Sequence, residues 1–257
     1  RRYIADRVIC NGDPPTVYQQ MLPGETRSKR VIPEAATKYS MGLYVMFFGT
    51  RKQYPNVAHH TIWMGPRYRE LLADIFDRKI LADDFSLYLH RPTATDSSFA
   101  PEGCDSFYVL CPVPNLLGDV DWEVEGPRLR DRIVAALEET IMPGLGEAIT
   151  DDFWMTPEDF KRDYRSMHGA GFSIAPIFTQ SAWFRYHNRD PHISNLYFSA
   201  AGAHPFLIDT YSHMDRLLTN TPYIEQISED FSAYGFRLVD FAYTGSMVGL
   251  FTRGLPV

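Results

Sequence analysis

The sequence has no long hydrophobic run and no surplus of basic residues. Its longest apolar run, Leu43–Phe48, is far short of the roughly 20 residues that a membrane-spanning helix needs. A spanning helix is therefore not expected, although an apolar patch could still attach the protein to a lipid surface. The 25 Lys and Arg residues are scattered and are outnumbered by 32 Asp and Glu, which gives a net charge of -7. This balance argues against a nucleic-acid partner, because phosphate binding needs a concentrated basic face.

Cysteine is also scarce. The three cysteines, Cys10, Cys104 and Cys111, cannot form an even disulfide framework, and this usage fits a reducing compartment. We interpret the chain as cytoplasmic. No pattern of a charged, an apolar and a small-residue segment opens the sequence, so no signal peptide is expected. The chain starts at Arg1 instead of Met, which suggests a piece of a longer protein.

Most catalytic signatures are missing from the sequence. It contains no G-x-S-x-G, no G-x-x-x-x-G-K-[ST], no H-E-x-x-H and no C-x-x-C. His59, His60 and His90 could be imagined as metal ligands, but adjacent histidines of a strand point to opposite faces. We therefore expect no metal site and interpret the three histidines as the polar end of a strand.

The apolar content of 45% over 257 residues is sufficient for a buried core. Residues 39–49 are apolar on nearly both faces and predict a central strand. Apolar residues recur at helical spacing from Tyr68 to Phe76, Pro127 fits a first helical position, and Thr156 fits a helix cap. Further strands are predicted at residues 59–64, 85–89 and 107–113. The sequence predicts an α/β (α+β) fold with a mixed β-sheet and covering helices.

The stretch from Phe178 to Pro205 combines large aromatic residues with hydrogen-bond donors. Trp183 and Phe184 supply apolar area and Arg185 supplies donors, a combination suited to closing one end of an apolar cavity. A predicted strand at residues 196–199 then leads into small residues, Ala200 to Ala203, which let a flat ligand approach the backbone. Arg185 could form a structural ion pair or could place a cation beside a redox ring. Both roles are open at this stage.

Several phrases of the sequence match one known family in order. They are T-Q-S-A-W-F-R-x-H-N-R, N-L-Y-x-x-x-A-G-x-H-P, A-H-H-T, G-P-R-Y-R-E-L, D-D-F-S-L-Y-L-H, P-E-G-C and P-V-P. By these phrases the chain resembles the C-terminal half of a bacterial-type phytoene desaturase, an FAD-dependent carotenoid desaturase of the flavin amine oxidase superfamily. The resemblance covers roughly residues 1–205. It ends at Phe206, where the family has a second glycine cluster.

The resemblance implies four segments. Residues 1–25 would be a remnant of a Rossmann-like FAD-binding domain, 26–178 a substrate-binding domain, 179–205 a return to the FAD-binding domain, and 206–257 an unmatched tail. The FAD contacts would come from Ala201, Gly202, Ala203, His204 and Pro205. The family phrase G-A-G-T-H-P keeps Gly202, His204 and Pro205 here, with Ala200 for its first glycine and Ala203 for its threonine.

The resemblance also implies a substrate and a location. The enzyme would oxidise an acyclic carotene by hydride transfer to FAD, with the carotenoid bound by Phe172, Trp183, Phe184 and Arg185 and by the sheet between Tyr39 and Val113. The substrate would enter from a membrane surface, which makes the protein peripherally membrane-associated. Two alternatives remain: a catalytically silent fragment that binds an apolar ligand, or a related flavin-dependent carotenoid isomerase or ketolase. The oligomeric state is not predicted.

Overall fold

A five-stranded β-sheet forms the centre of the protein. The computed structural model describes residues 4–22, 33–181, 184–203, 236–237 and 252–253. The strands of this sheet are β2 (Gly42–Thr50), β3 (His60–Trp63), β4 (Leu87–His90), β5 (Asp105–Val113) and β6 (Ile149–Met155), in the spatial order β3-β4-β5-β2-β6. Every neighbouring pair in it is antiparallel. The predicted α+β composition is confirmed, but the prediction of a mixed sheet was wrong.

Two further strands form a small parallel sheet. Strand β1 (Val8–Cys10) pairs with β7 (Leu196–Phe198) in parallel, although 188 positions separate the paired residues Val8 and Leu196. Beyond residue 203 the structure describes only β8 (Phe236–Arg237) and β9 (Thr252–Arg253), which pair with each other. In the sequence, apolar residues from Leu207 to Leu218 recur at helical spacing, and Phe236, Leu238 and Phe241 suggest a strand. Of these residues, the structure describes only Phe236.

The helices are short, with one exception. They are α1 (Pro14–Thr16), which continues as a π-helical turn over Val17–Met21, α2 (Tyr68–Ala73), which continues likewise over Asp74–Arg78, α3 (Trp122–Thr140), α4 (Leu145–Ala148) and α5 (Pro157–Asp163). Single 3-10 turns occupy Glu34–Ala36, Pro92–Ala94, Ser97–Phe99, Met167–Gly169 and Phe178–Gln180. In the described ranges, none of these helices is long and apolar enough to cross a bilayer.

Helix α3 covers one face of the five-stranded sheet. Alternate residues of β2, including Tyr44 and Met46, pack in one buried cluster with Leu129 and Ile133 of this helix. The Tyr44 hydroxyl donates a hydrogen bond to the Gly126 carbonyl at 3.0 Å, which ties the strand to the helix. The amphipathic pattern of α3 thus meets the alternating pattern of the strands, and each buries the apolar side of the other.

Helices α5 and α3 both begin at a residue whose side chain accepts or supports a hydrogen bond at the helix start, but the sequence predicted only the start of α5. Thr156 caps α5 as predicted, and its backbone N–H donates to Asp159 Oδ2 at 2.7 Å. The predicted start of α3 at Pro127 was wrong. This helix begins at Trp122, where the Asp121 carboxylate accepts from the N–H groups of Glu123 and Val124, and Pro127 lies inside it. The acidic cap therefore determines the start more strongly than the proline.

A second buried cluster joins the parallel strand pair to the sheet. It contains Val17, Tyr18, Tyr39, Ala170, Ile174, Tyr186, Leu196, Phe198 and Ala203. Single β-bridges, Tyr39 with Ile174 and Gly42 with Ala170, connect the segment after α5 to the start of β2. The cluster therefore adjoins the end of the main sheet where β2 begins.

Candidate functional site

The face of the sheet opposite α3 carries a row of rings, one from each of the five strands. Register places these residues directly opposite one another: His60 with His90, His90 with Tyr108, Tyr108 with Phe47 and Phe47 with Phe153. Neighbouring ring centroids are 4.8 to 5.8 Å apart along the row. We call these five residues the aromatic row. Such spacing is typical of stacked and edge-to-face ring pairs.

A second row of apolar side chains lies beside the aromatic row on the same face. It consists of Ile62, Tyr88, Leu110, Val45 and Met155, again one from each strand in register. Together the two rows form what we call the open face. Phe153 and Ile62, at its two edges, keep 59% and 64% of their surface exposed. Among the described residues, the other side chains of the two rows are at least partly exposed, except for buried Val45. An apolar surface of this kind indicates binding of another apolar molecule.

A groove of about 390 Å³ lies at the aromatic row. Its lining includes the rings of Phe47, Tyr108 and Phe153 together with His90 and Pro92. Tyr108 is only partly exposed, and burial raises the pKa of its hydroxyl to about 12, with a smaller contribution from its hydrogen bond with Tyr88. The Tyr108 hydroxyl is therefore neutral at neutral pH, and the acidic residues of the groove lining are Asp151 and Asp152.

Three histidines meet at the edge of the open face. His59 Nε2 lies 2.9 Å from His90 Nε2, and the His60 ring stacks on the His90 ring. Burial and the neighbouring histidines lower the pKa values of His59 and His90 below their usual range. The expectation that His59 and His60 diverge was wrong, because β3 begins at His60 and strand alternation does not govern His59.

The predicted cofactor turn lies at the carboxyl ends of the parallel strands β1 and β7. The Ser199 N–H donates to the Cys10 carbonyl at 3.0 Å, so the turns that follow the two strands run side by side. Gly202 is buried in the second of these turns. A Cβ atom added there would lie 2.4 Å from Ser173 Oγ and 2.7 Å from Pro14 Cδ. Only glycine therefore allows this close approach.

Arg185 holds the same turn from the other side. Its buried guanidinium donates to the carbonyl oxygens of Ala201, Ala203, Gln180 and Phe172 at 2.6 to 3.3 Å. Burial lowers the pKa of Arg185, and the charge of Asp13 partly opposes this effect. The Asp13 carboxylate accepts hydrogen bonds from Ser173 and from the Met167 N–H. In this structure Arg185 thus orders backbone instead of facing a groove.

The predicted substrate residues Phe172 and Phe184 do not line the groove at the aromatic row. Phe172 and Phe184 are exposed, and the Phe184 ring lies 6.3 Å from that of Phe178. Trp183, His204 and Pro205 lie outside the described residues. The aromatic row was not identified from the sequence, because it depends on the register of five strands. The sequence does show aromatic residues at positions 47, 108 and 153, but it does not show which strands pair or in which register. It therefore does not predict that the three rings lie side by side.

Fold and site define an α+β protein with an open apolar face on an antiparallel sheet and a turn of small residues beside a parallel strand pair. No protein-family model matches the chain. Comparison with curated proteins finds a phytoene desaturase (lycopene-forming) of Pantoea ananas, 48% identical over 207 residues that cover 80% of this chain and 42% of that protein. A phytoene desaturase (neurosporene-forming) of Rhodobacter capsulatus is 44% identical over 78% of this chain and 40% of its own length.

A more distant relative extends the same group. An all-trans-zeta-carotene desaturase of Myxococcus xanthus is 32% identical over 78% of this chain and 39% of its own length. The chain belongs to the phytoene desaturase family over about four fifths of its length. It spans about 40% of the length of the curated relatives that it matches. The resemblance found in the sequence phrases is thereby confirmed.

Proposed function

We propose that this chain supplies the substrate-binding sheet and part of the flavin site of a carotenoid desaturase that oxidises an acyclic carotene. The observation that carries the proposal is the aromatic row with its apolar neighbours. Four strand spacings of about 4.8 Å separate its ends, so the row spans about 19 Å. It forms one wall of a long chamber for a long hydrocarbon.

The chemistry of the substrate explains why such a wall is built from rings. An acyclic carotene has no polar group to which a side chain could hydrogen-bond, so its recognition depends on removing apolar surface from water. Flat rings at positions such as Phe47 and Phe153 supply large contact area with little side-chain entropy to lose. In our proposal the open face excludes water along the chain of the carotene and fixes its lateral position.

In our proposal the turn after β7 is one part of a flavin site. Ligands of sheets with parallel strands bind beyond the carboxyl ends of the strands, which is where Ala201 and Gly202 lie. The backbone of Ala201, Gly202 and Ala203 would hold the cofactor, and His204 and Pro205 remain predicted contacts. FAD, when bound, supplies the acceptor for the hydride that leaves the carotene. Arg185 positions this turn through its hydrogen bonds to the carbonyl groups of Ala201 and Ala203.

The domain division belongs to the same proposal. Residues 1–25 and 179–205 would form the remnant of a Rossmann-like domain, since β1 and β7 pair with each other, while 26–178 would be the substrate domain. Exposed Phe178 and Phe184 would form an apolar patch where the protein meets a membrane surface that holds the carotene.

A binding experiment tests the substrate wall. The purified chain is titrated with phytoene in detergent micelles, and binding is followed by tryptophan fluorescence. Phe47→Ala should raise the Kd by at least about 10-fold, because a buried phenylalanine side chain contributes about 1.5–3 kcal/mol. Phe99→Ala is the matched control, since Phe99 is 61% exposed in a 3-10 turn outside the open face. Equal Kd values for the two variants and the parent chain would contradict the proposed wall.

A chimera tests the reaction. The 207 matching residues of the lycopene-forming phytoene desaturase of Pantoea ananas are replaced by those of this chain, and the purified chimera is supplied with phytoene and FAD. We expect coloured, desaturated carotenes, and fewer of them from a chimera that also carries Phe47→Ala. If the chain binds phytoene but the folded chimera forms no product, this result favours the alternative of a catalytically silent fragment that binds an apolar ligand. Isomerised product without desaturation would favour the isomerase.

A further inference from the structure

The three histidines at the edge of the open face have the geometry of a metal site. One ring nitrogen from each of His59, His60 and His90 lies within 4.8 Å of the other two. Tetrahedral zinc with Zn–N bonds of about 2.0–2.1 Å places its ligand nitrogens about 3.3 Å apart. His59 Nε2 and His90 Nε2, at 2.9 Å, are already near this separation. The exposed His60 ring, which stacks on His90 with an interplanar angle of 13°, must rotate for its nitrogen to point at the same ion.

Hydroxyl groups hold the outer nitrogens of two of these rings. His59 Nδ1 shares a hydrogen bond with Thr95 Oγ1, and His60 Nδ1 shares one with Tyr88 at 2.6 Å. In protein metal sites, a partner on the outer nitrogen of a ligating histidine fixes the tautomer and the ring orientation. The same arrangement here leaves the Nε2 atoms of His59 and His60 for an ion.

The backbone around the cluster is rigid enough to keep the rings together. His60 and His90 are directly opposite in the β3–β4 ladder, and the Arg91 N–H donates to the His59 carbonyl at 2.8 Å. The three ligands therefore come from two paired strand ends, whose backbones are held together by ladder hydrogen bonds. Three imidazoles without a carboxylate or thiolate favour a borderline divalent ion over a hard ion such as Mg²⁺.

We propose that His59, His60 and His90 bind one Zn²⁺ ion or a similar divalent transition-metal ion, which cross-links strands β3 and β4 at the rim of the open face. Binding replaces the proton that one of the two facing Nε2 atoms holds. That proton moves to the outer nitrogen of its ring or to solvent. Three protein ligands leave the fourth tetrahedral position to water, and His90 places the ion next to the groove.

Calorimetric titration with zinc chloride tests the site. The 257-residue chain is prepared without a polyhistidine tag and stripped with a chelator. We expect one Zn²⁺ per chain with a micromolar or lower Kd, and we expect His59→Ala, His60→Ala and His90→Ala each to raise that Kd at least 10-fold. His192→Ala is the matched control, because His192 is exposed and lies outside the cluster. It should bind zinc like the parent chain.

A second readout separates metal binding from loss of folding. Zinc should raise the melting temperature of the parent and of His192→Ala but not that of His60→Ala, since only a metal that binds the folded state stabilises it. Co²⁺ should give the visible absorption of a tetrahedral complex with the parent only. If His59→Ala or His90→Ala does not fold, the exposed His60 decides the question. A parent chain that binds no zinc, or a folded His60→Ala variant that binds it equally, would overturn the proposal.

Discussion

Asp105 carries a buried negative charge at the first position of β5, and four groups satisfy it. Arg91 donates to both carboxylate oxygens, from Nε at 2.9 Å and from Nη2 at 3.2 Å. The Thr93 hydroxyl and the Tyr54 backbone N–H, each at 2.7 Å, complete the set. Both charged side chains are almost fully buried. A pair of this kind is held in place by its hydrogen bonds, and removing one partner leaves the other charge without compensation.

We therefore expect Asp105→Asn to lower the free energy of unfolding by about 3–5 kcal/mol, because Arg91 would remain buried without a carboxylate. Urea unfolding followed by circular dichroism measures the loss. Asp83→Asn is the matched control. Its carboxylate is fully exposed and lies 3.8 Å from Arg132, so we expect a change within about 0.5 kcal/mol. A similar small change for Asp105→Asn would show that the network contributes little.

Asp13 gives stability a dependence on pH. Burial raises its pKa above the usual value, and this effect exceeds the opposing effects of Ser173, Met167 and Arg185. The folded state therefore binds the Asp13 proton more tightly than the unfolded state does. Between the unfolded pKa of 3.8 and the raised folded value, this residue makes stability fall as pH rises. Its stabilising contribution is fully present below pH 3.8 and is lost as the pH passes the folded pKa.

We expect the free energy of unfolding to depend on pH with a different slope in the parent chain and in Asp13→Asn. On lowering the pH from 7 towards 4, the free energy of unfolding of Asp13→Asn should gain less, or lose more, than that of the parent, because the variant has no carboxyl group to protonate. Urea titrations at several pH values measure both slopes. Parallel curves for the parent and Asp13→Asn would contradict the raised pKa.

At the scale of elements, the sequence predicted strands that have a strong apolar pattern, but it did not predict the register in which the strands pair. The apolar run around Leu43 to Phe48 predicted a central strand and residues 107–113 predicted a further strand, and the structure confirms both as β2 and β5. Strand β6 was missed because Asp151 and Asp152 interrupt its apolar pattern. Asp152 lies on the face of the sheet that α3 covers and forms an ion pair with Arg130. This ion pair compensates the cost of placing a carboxylate on that face.

Two features of the candidate site depend on strand alignment and strand boundaries, which local sequence patterns do not specify. The aromatic row needs five strands in one register, and local patterns specify a strand far better than its partner's alignment. The histidine cluster needs His59 to lie just outside β3, a boundary that sequence patterns leave uncertain by a few residues. The Arg185 environment was partly anticipated, since an arginine among aromatics needs partners, but the partners are carbonyl groups instead of a carboxylate.

Pro127 lies inside α3, where a proline should lower the stability of the helix. Proline at this position has no N–H for the Glu123 carbonyl, and its ring is exposed, so replacing it removes little packing. We expect Pro127→Ala to raise the free energy of unfolding by roughly 2 kcal/mol. The variant gains by removing the destabilising effect of proline inside a helix, and it loses the smaller stabilisation that proline gives by restricting the unfolded chain.

Urea unfolding measures this gain, and Pro157→Ala serves as the comparison. Pro157 occupies the first position of α5, where no intrahelical N–H is needed, and it is buried, so its replacement should lower stability. If Pro127→Ala leaves stability unchanged, the helix must already have relieved the clash by bending.

At the scale of the whole molecule, two buried clusters organise the described residues. The larger cluster lies between the five-stranded sheet and α3, and the smaller one surrounds β1 and β7. Within the described ranges their strands belong to separate sheets, joined through single bridges near Tyr39 and Gly42. Such an arrangement favours two units of different local stability. The smaller cluster includes Tyr39, Ala170 and Ile174 of the proposed substrate domain as well as residues of the proposed flavin-domain remnant.

Hydrogen exchange of two alanine variants tests whether the clusters open independently. Phe198 is buried in the smaller cluster, with its ring 5.2 Å from that of Tyr18, and Phe198→Ala should cost about 3–5 kcal/mol. We expect faster exchange of the amides in β1 and β7 and unchanged protection in β2 and β5. Phe107→Ala, in the larger cluster, should instead expose the amides of β2 and β5. If Phe198→Ala lowers protection in all four strands equally, the described residues unfold as one cooperative unit and the proposed domain division fails.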